Sequence, residues 1–419
     1  MKLVIACMDT QGGVQPYRAL AQQLLQDGFS LSVVAPKNFA TMFETMSVDF
    51  VGLDVDLQAL LESPELSGIT EKRFMKSHLE AMEILKQYLP GMVQTCMEAA
   101  QDADAFVVGI GGMFLGESVA EKLGIPLIQA HVQPWTPTRY MEGMLGPTFL
   151  PNSWTHFFTR QVFWQPLRPL LNKVRRDVLS LPSGPFFGNV GRPQGPSAPV
   201  LYGYSPTFLP PPSDWSENIH VTGYWFVDAT EEPDPRLRSF IESGPKPICI
   251  GFGSMSSKNA KATTELLLEA VAQSGQRAVL LSGWGGMAET DVPDNVFFAK
   301  HVPHSWLYPR VSMAIHHGGA GTTGASLRAG VPTLVVPFNV DQPFWGRKIH
   351  EAGVGPKPIP RRTLTATKLA STITSTLQDE AMLHSAAKMG QTIRQEQGLQ
   401  NASNLIRQAL ETKEQRKAS

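Results

Sequence analysis

A glycine-rich turn between two apolar runs constrains what this chain can fold into more than any other feature. The turn reads His317-Gly318-Gly319-Ala320-Gly321-Thr322-Thr323-Gly324, and Asp341-Gln342 come after the second apolar run. Residues 311–315 and 333–337 are the two apolar runs and predict buried strands, while residues 325–329 predict a short helix. Such a unit brings backbone N–H groups and the positive end of a helix dipole to a phosphate, and the side chain of His317 lies within reach of it.

The composition narrows the possible functions. The 419 residues are enough for two domains, and 36 basic and 37 acidic side chains leave a formal net charge of −1, which excludes recruitment of nucleic acid by bulk charge. Cys7, Cys96 and Cys249 are scattered along the chain, so we expect neither a disulfide framework nor a zinc site. This cysteine usage favours a reducing compartment. No run approaches the roughly 20 apolar residues of a membrane span. We therefore expect a cytoplasmic protein and leave peripheral contact with a membrane open.

Two series of short apolar runs, separated by a proline-rich segment, predict two domains. Residues 3–7 and 31–35 flank a helical pattern, which predicts a parallel βαβ unit. Further strands are predicted at 105–109, 126–130, 200–204, 247–251, 278–282, 296–299, 313–316 and 333–337. The predicted boundaries are an N-terminal domain over 1–215, a linker over 216–240, a C-terminal domain over 241–395 and a C-terminal helix over 396–419.

The glycine-rich turn with Asp341-Gln342 resembles the donor signature of the UDP-glycosyltransferase family, whose architecture is GT-B. Further segments resemble its sterol 3-beta-glucosyltransferase branch. They are Pro134–Arg139, Gly251–Met255, Ser282–Gly286, Pro303–Leu307, Asp341–Gly346 and Gly353–Pro356. The resemblance implies an α/β protein with two facing Rossmann-like domains and a cleft between them, in which the first domain binds the acceptor and the second the donor. It also implies that the C-terminal helix crosses back to the first domain.

The same resemblance implies eight donor-binding positions. They are Ser254, Val302 through its backbone, His317, Gly319, Gly321, Thr322, Asp341 and Gln342. His317 and the N–H groups of the turn are expected to hold the phosphates, and Asp341-Gln342 the sugar hydroxyls. Since these groups stabilise the charge on the leaving nucleoside diphosphate, we expect a metal-independent enzyme without a cofactor. Adjacent to them, His316 and Trp306 are interpreted as packing residues.

The function implied is that of an inverting glycosyltransferase. It would move a hexose, glucose from UDP-glucose, to a hydroxyl of a sterol-like or other lipophilic small molecule. The sequence leaves the choice between UDP and TDP donors and the identity of the acceptor open.

The expected catalytic base is missing from its usual position. Such transfer needs a base that takes the proton of the acceptor hydroxyl. The family carries an Asp or His just after the first strand, and this sequence has Gly13 there. Asp9 in the same loop and His131 after a later strand are the candidates to replace it, and each has an alternative interpretation as a structural residue. Gly13 and Trp135 are candidates for contact with the acceptor.

Gly13 supports a second hypothesis, a catalytically impaired or non-catalytic GT-B protein that binds a nucleotide sugar or a partner enzyme. A dehydrogenase is a third, because Gly319-x-Gly321-x-x-Gly324 fits the dinucleotide fingerprint. We disfavour it, since that fingerprint normally follows the first strand, and the strand ending at Ala35-Pro36 offers no acid for a ribose.

An aromatic and basic segment spans residues 154–176. Trp154, Phe157 and Phe158 recur at helical spacing, which predicts a core face. The basic residues of the segment are predicted to lie on a solvated face or near lipid headgroups. They are Arg160, Arg168, Lys173, Arg175 and Arg176.

Overall fold

The computed structural model describes residues 1–9, 11–55, 74–145, 149–194, 198–228, 233–252, 260–282, 292–300, 302–338 and 340–418. Strands and helices alternate along most of this length. The strands are β1 (Lys2–Ala6), β2 (Ser30–Pro36), β3 (Asp49–Leu53), β4 (Ala105–Val108), β5 (Leu127–His131), β6 (Val200–Tyr202), β7 (Ile219–Val221), β8 (Ile248–Gly251), β9 (Ala278–Leu281), β10 (Val296–Ala299), β11 (Met313–His316) and β12 (Thr333–Val335).

The helices lie between these strands and at the end of the chain. They are α1 (Gln11–Gln26), α2 (Phe74–Ala99), α3 (Ile110–Leu123), α4 (Asn152–Asp177), α5 (Pro235–Glu242), α6 (Ala260–Ser274), α7 (His304–Leu307), α8 (Ala320–Ala329), α9 (Gln342–Glu351), α10 (Ala366–Gln378), α11 (Glu380–Gln395) and α12 (Gly398–Ala418). None of these helices is both long enough and apolar enough to cross a membrane.

The first sheet has seven parallel strands in the order β3-β2-β1-β4-β5-β6-β7. Its central strands β4 and β5 are buried at every position, which is what a parallel sheet covered on both faces requires. The second sheet has five parallel strands in the order β10-β9-β8-β11-β12. Because all strands of a sheet run in one direction, the loops that follow them gather along one edge, where α/β proteins bind ligands.

The chain divides into two compact units. The first contains Met1–Pro206, Pro210–Val227 and Gln397–Ser419, and the second contains Thr207–Leu209 and Asp228–Glu396. Helix α12 therefore belongs to the first unit although it ends the chain. It packs against α1 through Ala402, Ile406 and Leu410, which lie in the first unit's hydrophobic core.

The structure differs from the sequence prediction at three places. The predicted linker 216–240 contains β7, which pairs with β6 at the edge of the first sheet, and most of α5. Strand β3 at the opposite edge was also not predicted, because edge strands are half exposed and lack a continuous apolar run. Helix α8 begins at Ala320, five residues before the predicted start, since its first turn includes glycines that lower helix propensity.

We predict that Ile406→Ala destabilises the first unit by about 2–5 kcal/mol, because it leaves a cavity in a fully buried position between α12 and the core. Urea unfolding of the purified protein measures this change. Glu411→Ala, an exposed position on the same helix, is the control and should shift the free energy of unfolding by less than about 0.5 kcal/mol. Equal effects of the two substitutions would contradict the packing of α12 in the core.

Candidate functional site

The turn after β11 depends on Gly318. Its φ of +91° lies in the left-handed region, which side chains other than glycine rarely adopt. A Cβ at this position would lie 2.5 Å from Val335 Cγ1 and 3.1 Å from the carbonyl oxygen of Gln342. The turn is therefore closed against the end of β12 and the start of α9 without room for a side chain, which brings His317 and Asp341-Gln342 to the same edge of the sheet.

His316 has a structural role in this turn. Its Nδ1 accepts a hydrogen bond from the Gly318 N–H at 3.0 Å, and its Nε2 lies 3.2 Å from Ser326 Oγ. Because Nδ1 is an acceptor, the ring proton is on Nε2 and is donated to the serine. Burial lowers the pKa of His316 well below its usual value, so the ring stays neutral and fixes the turn on α8.

His317 and the first turn of α8 form the polar surface of the site. Nδ1 of His317 and Oγ1 of Thr323 are buried and have no hydrogen-bond partner among the described residues. A Cβ at Gly319, the residue before α8, would lie 2.6 Å from His317 Nε2, so the imidazole lies directly against the helix start. The first N–H groups of a helix have no partner within it, and the dipole there favours negative charge. This arrangement suits a phosphate or a similar anion.

Asp341 and Gln342 are held by specific hydrogen bonds. Trp345 Nε1 donates to Asp341 Oδ2 at 2.9 Å, and the Phe338 N–H donates to Gln342 Oε1 at 2.8 Å. Asp341 occupies the N-cap position of α9, but its side chain makes no capping bond there. Asp341 therefore precedes α9 without capping it through its side chain. Val340, immediately before it, has a φ of +50°, which is strained for a β-branched residue.

For the other predicted donor residues that it describes, the structure shows burial and packing. Val302 is buried between β10 and α7. Trp306 is half buried on the adjoining hydrophobic cluster, and the Arg310 guanidinium lies 4.6 Å from its ring, consistent with a packing role. Ser254 and most of the 251–255 and 282–286 segments lie outside the described residues.

In the first unit, the Asp9 carboxylate occupies the space beside Gly13. A Cβ built at Gly13 would lie 2.1 Å from Asp9 Cγ and 2.4 Å from Asp9 Oδ2. Asp9 lies before α1, which begins at Gln11, and Gly13 lies in the first turn of that helix. Burial, and secondly the Asp9 charge, raise the pKa of Cys7 to about 12 and that of Tyr17 well above its usual value. Any side chain at position 13 would therefore displace this carboxylate.

His131, the other candidate base, is fully buried at the end of β5. Its Nε2 lies 3.1 Å from Gln129 Oε1, and its Nδ1 has no hydrogen-bond partner within the described part of the chain. Burial lowers its pKa to about 3. A base whose conjugate acid is this strong takes a proton poorly near neutral pH.

Trp135 belongs to a buried network centred on Tyr202. The N–H groups of Trp135 and Thr136 donate to Tyr202 Oη at 3.1 and 2.7 Å. The indole ring packs edge-on against Phe163. Arg160 is buried nearby and interacts electrostatically with Tyr202. Trp135 Nε1 and Arg160 Nε and Nη1 find no partner among the residues that the structure describes, so this network retains three unused donors.

Several features of the site were not predicted from the sequence. Nothing in the sequence indicates the positive φ of Val340, because valine does not favour this conformation. Thr323 is recognisable only as part of the motif, and Tyr202 only as part of a strand. The contact between Asp9 and Gly13 was not predicted, because Asp9 lies before α1 and helical spacing does not apply to it.

Comparison with known proteins gives matches over most of the chain. Residues 3–142 match the glycosyltransferase family 28 N-terminal domain, and residues 266–400 match the erythromycin biosynthesis protein CIII-like C-terminal domain. A sterol 3-beta-glucosyltransferase of Cryptococcus neoformans is 33% identical over 98% of this chain and 27% of that protein. The sterol 3-beta-glucosyltransferase UGT80A2 of Arabidopsis thaliana is 33% identical over 96% of this chain and 64% of that protein. The chain thus spans less than two thirds of either relative.

Similarity to solved structures extends over both units. The crystal structure of the glycosyltransferase VinC in complex with dTDP has a TM-score of 0.68 at 16% identity and covers 98% of this chain and 100% of that one. At this level of identity the match establishes the fold.

We predict that stability depends on pH through buried histidines. Burial lowers the pKa of His131 to about 3 and those of His156 and His317 to about 4. A histidine in an unfolded chain has a pKa of about 6.5, so the unfolded chain binds more protons than the folded chain between about pH 4 and 6.5. The free energy of unfolding should therefore fall as the pH decreases through this window, by up to about 1.4 kcal/mol per pH unit for each histidine. Urea unfolding at about pH 7 and 5.5 measures the slope.

The variant His131→Gln isolates one of these contributions. Its stability should depend less steeply on pH than that of the unsubstituted chain, because one proton-binding group of the unfolded state is gone. An unchanged slope would contradict the burial of a neutral imidazole at this position.

Proposed function

Since this chain is a homologue of the sterol 3-beta-glucosyltransferases and has their GT-B fold, we propose that it is an inverting transferase that moves glucose from UDP-glucose to a sterol hydroxyl. The two parallel sheets with flanking helices confirm the predicted α/β class. The observation that carries the proposal is the meeting of the 317–319 turn, the start of α8 and Asp341-Gln342 at one edge of the second sheet. A phosphate site and a hydroxyl site side by side are what a nucleotide sugar requires.

The diphosphate is proposed to bind at the start of α8. When the bond between the sugar and UDP breaks, negative charge develops on the leaving phosphate oxygen. The N–H groups of residues 319–322 and the neutral imidazole of His317 donate to that oxygen and need little rearrangement to do so. These donors take the part that a divalent cation plays elsewhere, so the proposed reaction is metal-independent.

The sugar hydroxyls are proposed to bind Asp341 and Gln342. An ionised carboxylate has about four acceptor sites, so the bond from Trp345 Nε1 orients Asp341 and leaves capacity for sugar hydroxyls. Gln342 is similarly oriented by the Phe338 N–H. Both residues are largely buried, which strengthens hydrogen bonds to a ligand that excludes water.

Asp9 is proposed to act as the base. Its carboxylate fills the volume that a side chain at Gly13 would take, which is where the family carries its base. It takes the proton of the acceptor hydroxyl as that oxygen attacks the anomeric carbon and the bond to the UDP oxygen breaks. Attack from the side opposite UDP converts an α-linked donor into a β-glycoside. His131 supports this role less well, because its burial leaves it a weak base.

The test of the proposal is transfer by the purified chain. Incubation with UDP-glucose or dTDP-glucose and a panel of sterols, flavonoids and polyketide aglycones should add one hexose to a sterol, detected by mass spectrometry. Saturable binding of UDP-glucose without any product would favour a non-catalytic sugar-nucleotide-binding protein. A chain that binds no nucleoside diphosphate or nucleotide sugar would refute the proposal.

We predict that Asp9→Asn lowers kcat by about 10²–10⁴-fold, because the amide cannot take the acceptor proton. The substitution keeps the size of the side chain, so the affinity for UDP-glucose and the thermal midpoint should stay close to those of the parent. A kcat within threefold or so of the parent would remove Asp9 from the role of base.

Two further variants separate a catalytic Asp9 from a structural one. Gly13→Asp alone should lose activity, because the new side chain and the Asp9 carboxylate would occupy the same volume. The double variant Asp9→Ser, Gly13→Asp should recover part of the activity by placing the carboxylate at the family's position. A kcat of the double variant no higher than that of Asp9→Asn would argue against the relocated base, provided that the double variant still folds and binds UDP-glucose.

A further inference from the structure

The exposed face of α4 is aromatic. Trp154 and Phe158 are 64% and 48% exposed, and Phe157 lies with them on the same side of the helix. The predicted core face is therefore wrong. The buried face of α4 instead carries Thr155, Thr159 and Trp164, among others, and the aromatic rings point away from the core.

A loop extends this aromatic surface. Phe186 and Phe187 are 56% and 53% exposed, and their rings pack against each other at 4.9 Å. Phe187 also lies 5.6 Å from Phe157. We refer to Trp154, Phe157, Phe158, Phe186 and Phe187 together as the aromatic face.

Hydrogen bonds hold the loop so that its rings stay outward. Trp164 Nε1 and Gln165 Nε2 donate to the Phe186 carbonyl at 2.8 and 2.9 Å, and Gln161 Nε2 donates to the Phe187 carbonyl at 3.0 Å. The backbone of the loop is thereby fixed on α4, and the rings are left without cover. The aromatic face is thus a built surface rather than a set of scattered apolar residues.

The charge around the aromatic face is positive. Residues 143–213 include six basic side chains and one acidic side chain, Asp177. Contrary to the sequence prediction, Arg160 and Arg175 are buried, and Arg175 pairs with Glu121, whereas Lys173, Arg176 and Arg192 are exposed. The Arg168 guanidinium lies 4.3 Å from the Phe186 ring, and Lys173 and Arg176 are exposed further along α4. Apolar rings bordered by basic groups match the boundary of an anionic bilayer, where rings enter the acyl region and cations stay among the headgroup phosphates.

We propose that the aromatic face docks on the surface of a bilayer containing anionic phospholipid. The rings enter the interface, while Arg168, Lys173 and Arg176 contact lipid phosphates. This binding goes beyond the transfer reaction and does not require it, since none of these residues belongs to the proposed donor site or base.

The test is cosedimentation of the full chain with vesicles of phosphatidylcholine and phosphatidylserine. The double variant Trp154→Ala, Phe158→Ala should bind at least about tenfold more weakly, because two rings that would leave water are removed. Tyr88→Ala, which removes an exposed ring from α2, is the matched control and should bind like the parent. Since all three side chains are exposed, the thermal midpoints should agree within a few degrees.

Charge variants test the second part of the proposal. Lys173→Gln, Arg176→Gln should weaken binding to anionic vesicles severalfold and leave the weak binding to pure phosphatidylcholine unchanged. Added salt should have the same effect as these substitutions.

Three results would overturn the proposal. Equal vesicle binding by the parent and the Trp154, Phe158 variant would exclude the aromatic face as the membrane surface. A parent that is dimeric in solution and a variant that is monomeric, neither binding vesicles, would assign the face to contact between copies of the chain. Loss of transfer to a detergent-dispersed sterol, with vesicle binding retained, would assign it to the acceptor. Failure of the proposed function can be distinguished from failure of this proposal, because a chain that transfers no sugar would still bind vesicles.

Discussion

The absence of a side chain at Gly318 is the constraint on which the second unit's site depends. A Cβ there would collide with Val335 and approach the Gln342 carbonyl, so the end of β11, the end of β12 and the start of α9 lie together only around a glycine. The left-handed φ excludes other residues for a second, independent reason. From this one contact follow the position of His317 against α8 and the position of Asp341 beside the same turn. Gly318 is therefore required for packing, independently of the proposed binding of a phosphate to this turn.

In the first unit the proposed chemistry depends on a single volume. Asp9 and a side chain at position 13 compete for the same space at the start of α1, so the two positions are coupled and must be considered as a pair. Gly13 leaves room for the Asp9 carboxylate, whereas an aspartate at position 13 would require a smaller or reoriented residue at position 9. The glycine that suggests a lost activity from sequence alone is, in the structure, the condition for another carboxylate to lie there.

Sequence predicted the buried parts of the fold better than its edges. The central strands are continuous apolar runs, and their positions followed directly from that pattern. Strands β3 and β7 are half exposed at the two edges of the first sheet and gave no such run. The donor motif could be proposed from the sequence because most of its residues are close in the chain, whereas the contact between Gly318 and Gln342 depends on tertiary packing. The spacing of Trp154, Phe157 and Phe158 correctly indicated one face of a helix, but periodicity alone does not say which face is buried.

Helix α4 is unusual because three of its aromatic side chains are exposed while two arginines and two threonines are buried. Thr155 and Thr159 use their hydroxyls on backbone groups of residues 143 and 145, so the polar face has its own reason to be inside. No comparable contact that the structure describes within the first unit accounts for the position of the exposed rings. Among the described residues, ten large hydrophobic side chains are exposed, and eight of them lie between Tyr140 and Phe187. Chance exposure would scatter them over the surface, so their concentration in one segment supports the proposal of a common partner. A bilayer satisfies the rings and the cations at once, and it is also the phase in which a sterol acceptor dissolves. A protein that acts on such a molecule would gain from holding its first unit there, since the acceptor then reaches the site without crossing water.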